Sequence, residues 1–194
     1  AKDESEAIQI AEQIGYPVAI KIAAEGLLHK SEAGGIRLNL RNAEELRVAY
    51  REMISHITQQ FPEAQIIGVM VEKMAPKGQE VIVGMRRDAT FGPMLMFGMG
   101  GVLVEQIKDI SFKVAPLSGE DIDDMLASTI AGKLLAGYRG AAKGDIAAVK
   151  DVIARLSQLG LDFPEIAEVE INPLIVYPEG QGALALDSRA ILKY

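Results

Sequence analysis

Residues 168–191 read EVEINPLIVYPEGQGALALDSRAI. Two apolar runs flank the turn sequence YPEGQG, so the stretch is expected to double back as an antiparallel hairpin centred on Glu179 and Gly180. Symmetric pairing about that centre sets Asn172 opposite Asp187 and Glu170 opposite Arg189. Positions two apart share a face, so all four polar side chains fall on one side. Val169, Ile171, Ile175, Leu184 and Leu186 are expected on the other, as a core face. Two readings of the polar set stand side by side. Asn172 and Asp187 are oxygen donors across a strand pair, and Mg²⁺ takes one or two protein oxygens and completes its shell with water and phosphate. The alternative is a cross-strand salt bridge with a polar neighbour at the sheet surface. A slip of one residue would separate the set.

The composition narrows what surrounds this hairpin. The chain has 194 residues, 49% of them hydrophobic and 24% charged, enough for a full core in one domain or two small lobes. A net charge of −7 argues against non-specific nucleic-acid binding. With no cysteine, disulfides, zinc–thiolate sites and thiol nucleophiles are excluded, and a reducing, cytoplasmic compartment is expected. The longest apolar run, PMLMFGMGGVLV from Pro93, is broken by glycine and shorter than the ~20 residues a membrane helix needs, so no membrane partner is expected. The first residue is Ala1 rather than Met, which reads as an excised or processed chain.

Upstream, SEAIQIAEQIG places Ala7, Ile8, Ala11 and Ile14 at helical spacing, with Gly15 as a stop. PVAIKI alternates as a strand, Val18, Ile20 and Ile22 to one side and Ala19 and Lys21 to the other. IRLNL is a second strand. Asn42 with Glu45 resembles a capping box, opening a helix striped by Leu46, Tyr50, Met53 and Ile57. IIGVMVEKM and EVIVGMRR are expected to pair as a hairpin across APKGQ, with Ile66, Gly68, Met70 and Glu72 on one face. MLMFGM and VLVEQI flank the glycines of GMGG, and helices are expected near 119–131 and 144–159. Strands in neighbouring hairpins with helices grouped between them predict an α+β fold in two lobes, about 1–73 and 74–194.

Several residues are candidates for chemistry. Lys21 is either a solvated lysine on an outer sheet face or an ammonium aimed at phosphate. The loop HKSEAGG holds His29, Lys30, Gly34 and Gly35. Its glycines allow a close backbone approach to an anion, although glycine pairs are more often plain turns. A neutral imidazole at His29 can accept a phosphoryl group, whereas His56 reads as a surface residue on a helix. Glu72 and Glu80 bracket the APKGQ turn, and acids placed so most often face solvent. Gly98, Gly100 and Gly101 suit close strand packing better than phosphate binding.

Taken together, PVAIKIAAEGLLHKSEAGGIRLNL, the segment from VEKMAPKGQEVIVGMRR through KVAPL, and FPEIAEVEINPLIVYPEGQGALALDSRAIL resemble the ATP-grasp domain of NDP-forming acyl-CoA synthetases. These are relatives of the nucleotide-binding subunit of succinyl-CoA synthetase. The resemblance covers nearly the whole chain. It implies two α+β lobes gripping ATP or ADP between them, with Lys21, Gly34 and Gly35 at the phosphates. Glu72 and the Lys73–Met74 backbone would hold adenine, Glu80 the ribose side, and Asn172 and Asp187 Mg²⁺. Family members interconvert acyl-CoA, ADP and phosphate with acid, CoA and ATP through phosphohistidines. The resemblance makes His29 the relay, with Arg189 supplying positive charge to the migrating group. The implied partners are CoA-binding and ligase domains, or an alpha subunit, carrying the second phosphohistidine. Against the family pattern the chain looks trimmed at its start. A rival from another class is a regulatory ATP-grasp domain such as those fused to protein acetyltransferases.

Overall fold

The structure is a computed structural model that describes residues 1–27, 33–101, 109–140 and 142–193. The chain divides into two compact units, Ala1–Pro76 and Lys77–Tyr194.

In the first unit, Asp3 opens helix α1 (Glu4–Ile14) by accepting the Glu6 N–H, and Gly15, with φ of 83°, closes it. Asn42 caps α2 (Ala43–Gln60) through the Glu45 N–H at 2.9 Å. The return bond of a capping box goes one residue further back, to the Arg41 N–H at 2.8 Å. Both helices cover one face of a three-stranded antiparallel sheet, ordered β2 (Ile36–Leu40), β1 (Val18–Glu25), β3 (Gln65–Lys73). Val18, Ile20 and Ile22 of β1 are fully buried with Leu46, Met53 and Ile57 of α2, while Tyr50 is only partly buried against them.

Two expectations about this region are corrected. Ala23 pairs with Gly68 but Ala24 with Ile66, so Ile67 is an extra residue in β3. That bulge swings Ile66 onto the core side with Val69 and Val71, away from Met70 and Glu72, and leaves Ile67 63% exposed. Nor do IIGVMVEKM and EVIVGMRR form a hairpin. β3 pairs with β1, whereas β4 (Gln79–Asp88) has both edges taken, by β5 (Gly92–Met99) and β7 (Ile166–Val176). APKGQ is the passage from one unit to the next.

Among the described residues, the second unit has a six-stranded antiparallel sheet, ordered β6 (Ile110–Val114), β5, β4, β7, β8 (Ala183–Ala185), with β9 (Ser188–Leu192) also on β7. Helices α3 (Gly119–Ser128), α4 (Ile130–Leu135) and α5 (Ile146–Asp162) share one core with Val83, Met85, Leu95, Phe97 and Leu174. The helix expected over 119–131 is broken at Thr129, whose backbone is extended at φ −104° and ψ 157°. The break is fully capped. Thr129 Oγ1 accepts the Gly132 N–H at 3.1 Å, and the Asp109 carboxylate accepts those of Ile130 and Ala131 at 2.8 Å each. A side chain at Gly132 would overlap the Leu126 carbonyl. Strand β6, which no sequence pattern marked, ends the sheet among the described residues and leaves Phe112 and Val114 exposed. VLVEQI lies outside the described residues.

The pairing of β7 follows the symmetry expected from the turn, with Glu170 opposite Arg189, Ile175 opposite Leu184 and Val176 opposite Ala183. The core face does not. Val81 pairs with Leu174 but Val83 with Ile171, which places one surplus residue at Asn172–Pro173. Beyond it the alternation reverses. Val169 and Ile171 reach the helix-side core from one half of the strand, Leu174 and Val176 from the other. Leu184 and Leu186, expected inside, are 43% and 39% exposed, and Ala183 packs in their place.

Asp145 ties this hairpin to α5. One carboxylate oxygen accepts the Ala148 N–H at 3.0 Å as the helix cap, and the other accepts the Gly182 N–H at 2.8 Å from the turn. Its own N–H donates to the Tyr177 carbonyl at 2.8 Å. Bonds from the backbone N–H groups of Gly182 and Ala148 hold its carboxyl below the usual aspartate range. A depressed folded value means stability that is present at neutral pH and lost as pH falls through that value. Asp145→Asn is therefore expected to lower the urea midpoint at pH 7, and the gap from wild type should close on acidification. Denaturation curves taken from pH 7 to pH 3 test this, and a gap independent of pH would exclude the charged cap.

Candidate nucleotide and metal site

Lys21 and Glu72 lie on one face of the first unit's sheet, opposite the buried Val18, Ile20 and Ile22. Lys21 pairs in register with Ile36 and Met70, and Glu72 with Ala19, which makes the two charged residues diagonal neighbours. Lys21 Nζ sits 2.8 Å from Glu72 Oε2, with side chains 21% and 35% exposed. The sequence picked out both residues but assigned them to different parts of a ligand. In the structure they hold each other.

At the next position along β3, Lys73 is exposed and paired in register with Val18. The Met74 N–H donates to the Pro17 carbonyl at 3.1 Å. Any hydrogen bond from Met74 to a base must therefore use another group.

His29 lies outside the described residues. Of its loop, Gly34 and Gly35 are in place. Gly34 has φ of 70°, and its carbonyl accepts from Arg37 Nη1 at 2.6 Å. The Gly35 carbonyl accepts the Ile22 N–H at 2.7 Å, which stitches the end of the loop to β1. A Cβ on Gly34 would stand 3.2 Å from His56 Cδ2. The second histidine of the chain therefore borders the same loop, a proximity between β1's loop and α2 that no local sequence signal carries.

In the second unit, Asn172, Glu80 and the glycine segment come together. Asn172 Oδ1 accepts the Gly101 N–H at 3.0 Å. The Gly100 N–H donates to the Glu80 carbonyl at 3.1 Å, and the Glu80 carboxylate occupies the space a Gly101 side chain would need. At Gly98 and Gly100 a Cβ would overlap backbone of Asp109 and Val81, respectively. Close packing accounts for those two glycines. Gly101, with φ of 72°, has a different task, since its N–H fixes the orientation of the Asn172 amide.

Across the strand pair, the Asn172 N–H donates to the Asp187 carbonyl at 3.1 Å, so the two residues stand opposite one another. Asp187 is exposed and Asn172 half-buried. Among the described residues no three His, Cys, Asp or Glu gather as a metal cage. The donor set at this position is oxygen alone, and a carbonyl oxygen has a second lone pair beyond the one given to Gly101. Those features fit a hard divalent cation that takes the rest of its shell from water and phosphate. Arg189 faces Glu170 in register, but its guanidinium reaches diagonally to Glu168 Oε1 at 2.7 Å.

The family model described as "ATP-grasp domain" matches residues 1–192. The chain belongs to the ATP-grasp family. It is 44% identical over 192 residues to the beta subunit of acetate–CoA ligase [ADP-forming] I of Pyrococcus furiosus, covering 99% of this ATP-grasp chain and 82% of that subunit. It is 43% identical over 189 residues to 4-hydroxybutyrate–CoA ligase [ADP-forming] of Nitrosopumilus maritimus, covering 97% of the chain but 27% of that longer relative. Among solved structures it is similar to the dinucleotide-forming acetyl-coenzyme A synthetase 1 of Ca. Korarchaeum cryptofilum, in complex with coenzyme A, Ca-AMPCP and HgCl⁺. The TM-score is 0.90 at 46% identity, over 100% of this chain and 83% of that one. The ATP-grasp fold here is α+β, helices packed on antiparallel sheets. Among the described residues no helix is long and apolar enough to cross a membrane.

Gly101→Ala tests the amide anchor in this ATP-grasp domain. A side chain at φ of 72° costs roughly 1–2 kcal/mol, and it displaces the Glu80 carboxylate. Both a lowered thermal midpoint and weaker binding of Mg-nucleotide are expected. Nucleotide affinity equal to wild type would dissociate Gly101 from the Asn172 site.

Proposed function

We propose that this chain is the nucleotide-handling part of an ADP-forming acyl-CoA synthetase, an acid–thiol ligase, and moves a phosphoryl group between ATP or ADP and a histidine. The observation that carries the reading is Asn172, anchored by Gly101 and set opposite Asp187. It is supported by membership of the ATP-grasp family and by 44% identity across 82% of a beta subunit with that named activity.

In this reading Lys21, Gly34 and Gly35 hold phosphates, Glu72 with Lys73 and Met74 the base, and Glu80 the ribose side. Asn172 and Asp187 hold Mg²⁺, whose part when bound is to neutralise phosphate charge. His29 is the acceptor. As phosphorus leaves the oxygen bridging the β- and γ-phosphates, that oxygen departs with ADP, and a P–N bond forms to the imidazole. Arg189 contributes positive charge beside the migrating group once freed from Glu168. Discharge in the opposite direction returns the phosphoryl group to ADP. The acyl chemistry belongs to CoA-binding and ligase domains, or to an alpha subunit with its own phosphohistidine, and the chain on its own is not expected to complete the cycle. The cysteine-free composition supports a cytoplasmic setting.

Asp187→Asn is expected to weaken Mg-ATP binding while leaving the fold intact. Loss of groups that merely orient a ligand costs 10–100-fold in metal affinity, so a drop on the order of tenfold or more is expected in titration calorimetry. Unchanged affinity would remove Asp187 from the metal site. For the relay, incubation with Mg²⁺ and terminally labelled ATP in the presence of the partner domains should leave an acid-labile, base-stable label. That label should be absent from His29→Ala. A label of equal yield in the variant would place the acceptor elsewhere, and bound nucleotide with no label in either protein would favour a sensor.

A further inference from the structure

Arg37 of β2 follows closely on the glycine pair assigned to phosphate, and its side chain folds back onto that pair. Nη1 donates to the Gly34 carbonyl at 2.6 Å and to the Ile36 carbonyl at 3.0 Å. We propose that Arg37 is a positioning residue for the phosphoryl transfer, an assignment that rests on the nucleotide reading above. It fixes the Gly34–Gly35 peptide so that the Gly35 N–H is held ready for an oxygen of the nucleotide phosphates.

The direction of that N–H follows from one ladder bond. The Gly35 carbonyl is turned toward β1, where it accepts the Ile22 N–H at 2.7 Å. Carbonyls alternate in direction along an extended chain, so that of Ile36 turns the other way. It faces the side of β2 that no strand occupies among the described residues. The Gly34 carbonyl meets the same nitrogen of Arg37 and lies on that side too. The Gly34–Gly35 peptide is trans, and in a trans peptide the N–H opposes the C=O. Arg37 therefore directs the Gly35 N–H inward, away from the free edge. Gly35 is buried, yet among the described residues its N–H donates to no group. A buried backbone donor without an acceptor is unfavourable and rare. A phosphate oxygen supplies the acceptor.

The turn is held from its outer side as well. Gly34, at φ of 70°, has a backbone that side chains rarely adopt, and the His56 ring stands where its Cβ would be crowded, at 3.2 Å. Rotating the peptide would break both carbonyl bonds to Arg37. An arginine that merely covered a strand edge would make the same two bonds, but its loss would not distinguish a phosphate-bearing ligand from one without phosphate.

The test measures Mg-ATP and adenosine binding by calorimetry for wild type, Arg37→Met and Arg37→Lys in the complete assembly. A misplacement of about 1 Å can cost on the order of a hundredfold, so Arg37→Met is expected to bind Mg-ATP roughly ten- to a hundredfold more weakly. Its adenosine affinity should match wild type. Arg37→Lys retains an ammonium with three donors and should recover most of the loss. In wild type, hydrogen exchange at the Gly35 amide should slow on addition of Mg-ATP and not of adenosine. Mg-ATP affinity unchanged in Arg37→Met would overturn the proposal and leave the nucleotide reading in place. Equal losses for Mg-ATP and adenosine, no recovery in Arg37→Lys, or no slowing at the Gly35 amide would do the same. Absence of Mg-ATP binding by wild type is a separate outcome, which removes the nucleotide reading and the role of Arg37 with it.

Discussion

One surplus residue in β7 governs the second unit. A central strand with helices on one side needs alternate aliphatic side chains along its whole length. Val169 and Ile171 meet that need before the bulge, and Leu174 and Val176 after it. Without the bulge, the second pair would face the wrong way. The cost is a local break in the ladder at Asn172–Pro173, and a polar residue is put there. The Asn172 backbone N–H finds Asp187 and its side chain finds Gly101, so the irregularity is hydrogen-bonded on both sides. The defect in the sheet and the proposed metal position share Asn172, consistent with bulges being used to re-aim side chains.

Charge is arranged by the same economy in both units. Each cation assigned to phosphate rests on a carboxylate of a neighbouring strand, Lys21 on Glu72 and Arg189 on Glu168. Both pairs are diagonal across an antiparallel ladder, a geometry that long side chains span easily. The difference lies in exposure. Arg189 is 64% exposed and its pair is weak, whereas Lys21 at 21% is held in a drier setting.

What the sequence made legible was local. The register of the final hairpin follows from the centre of its turn, the end of α1 from Gly15, and the cap of α2 from Asn42. Non-local pairing was not legible. APKGQ has the composition of a hairpin turn, and nothing in it reveals that β4 already has two partners. The bulges at Ile67 and Asn172 are invisible for a related reason. Each answers to the strand alongside, and its effect on burial appears only once that strand is in place. Lys21 and Glu72 stood out individually, but their contact requires β1 beside β3 across a stretch containing a whole helix. The break at Thr129 carried a weak signal, a Ser-Thr step with glycine three residues on, while its main support, Asp109, is distant in sequence.

Asp145 connects these observations. The residue is 7% exposed, and its two oxygens bind two different elements, the start of α5 and the Gly182 turn. A turn of six residues rich in glycine has little rigidity of its own. Fixed to a seventeen-residue helix by a charged cap, it becomes a defined pivot. From that pivot the symmetric register runs down β7, β8 and β9, so the position of Asp187 opposite Asn172 is set from the far end of the hairpin. Asp187 itself is exposed, and it is held by the Asn172 N–H on its carbonyl and by the paired residues on either side. The turn end of that ladder is fixed by the hydrogen bonds around the Asp145 carboxylate, so loosening that cap should loosen the proposed metal position before it unfolds the core.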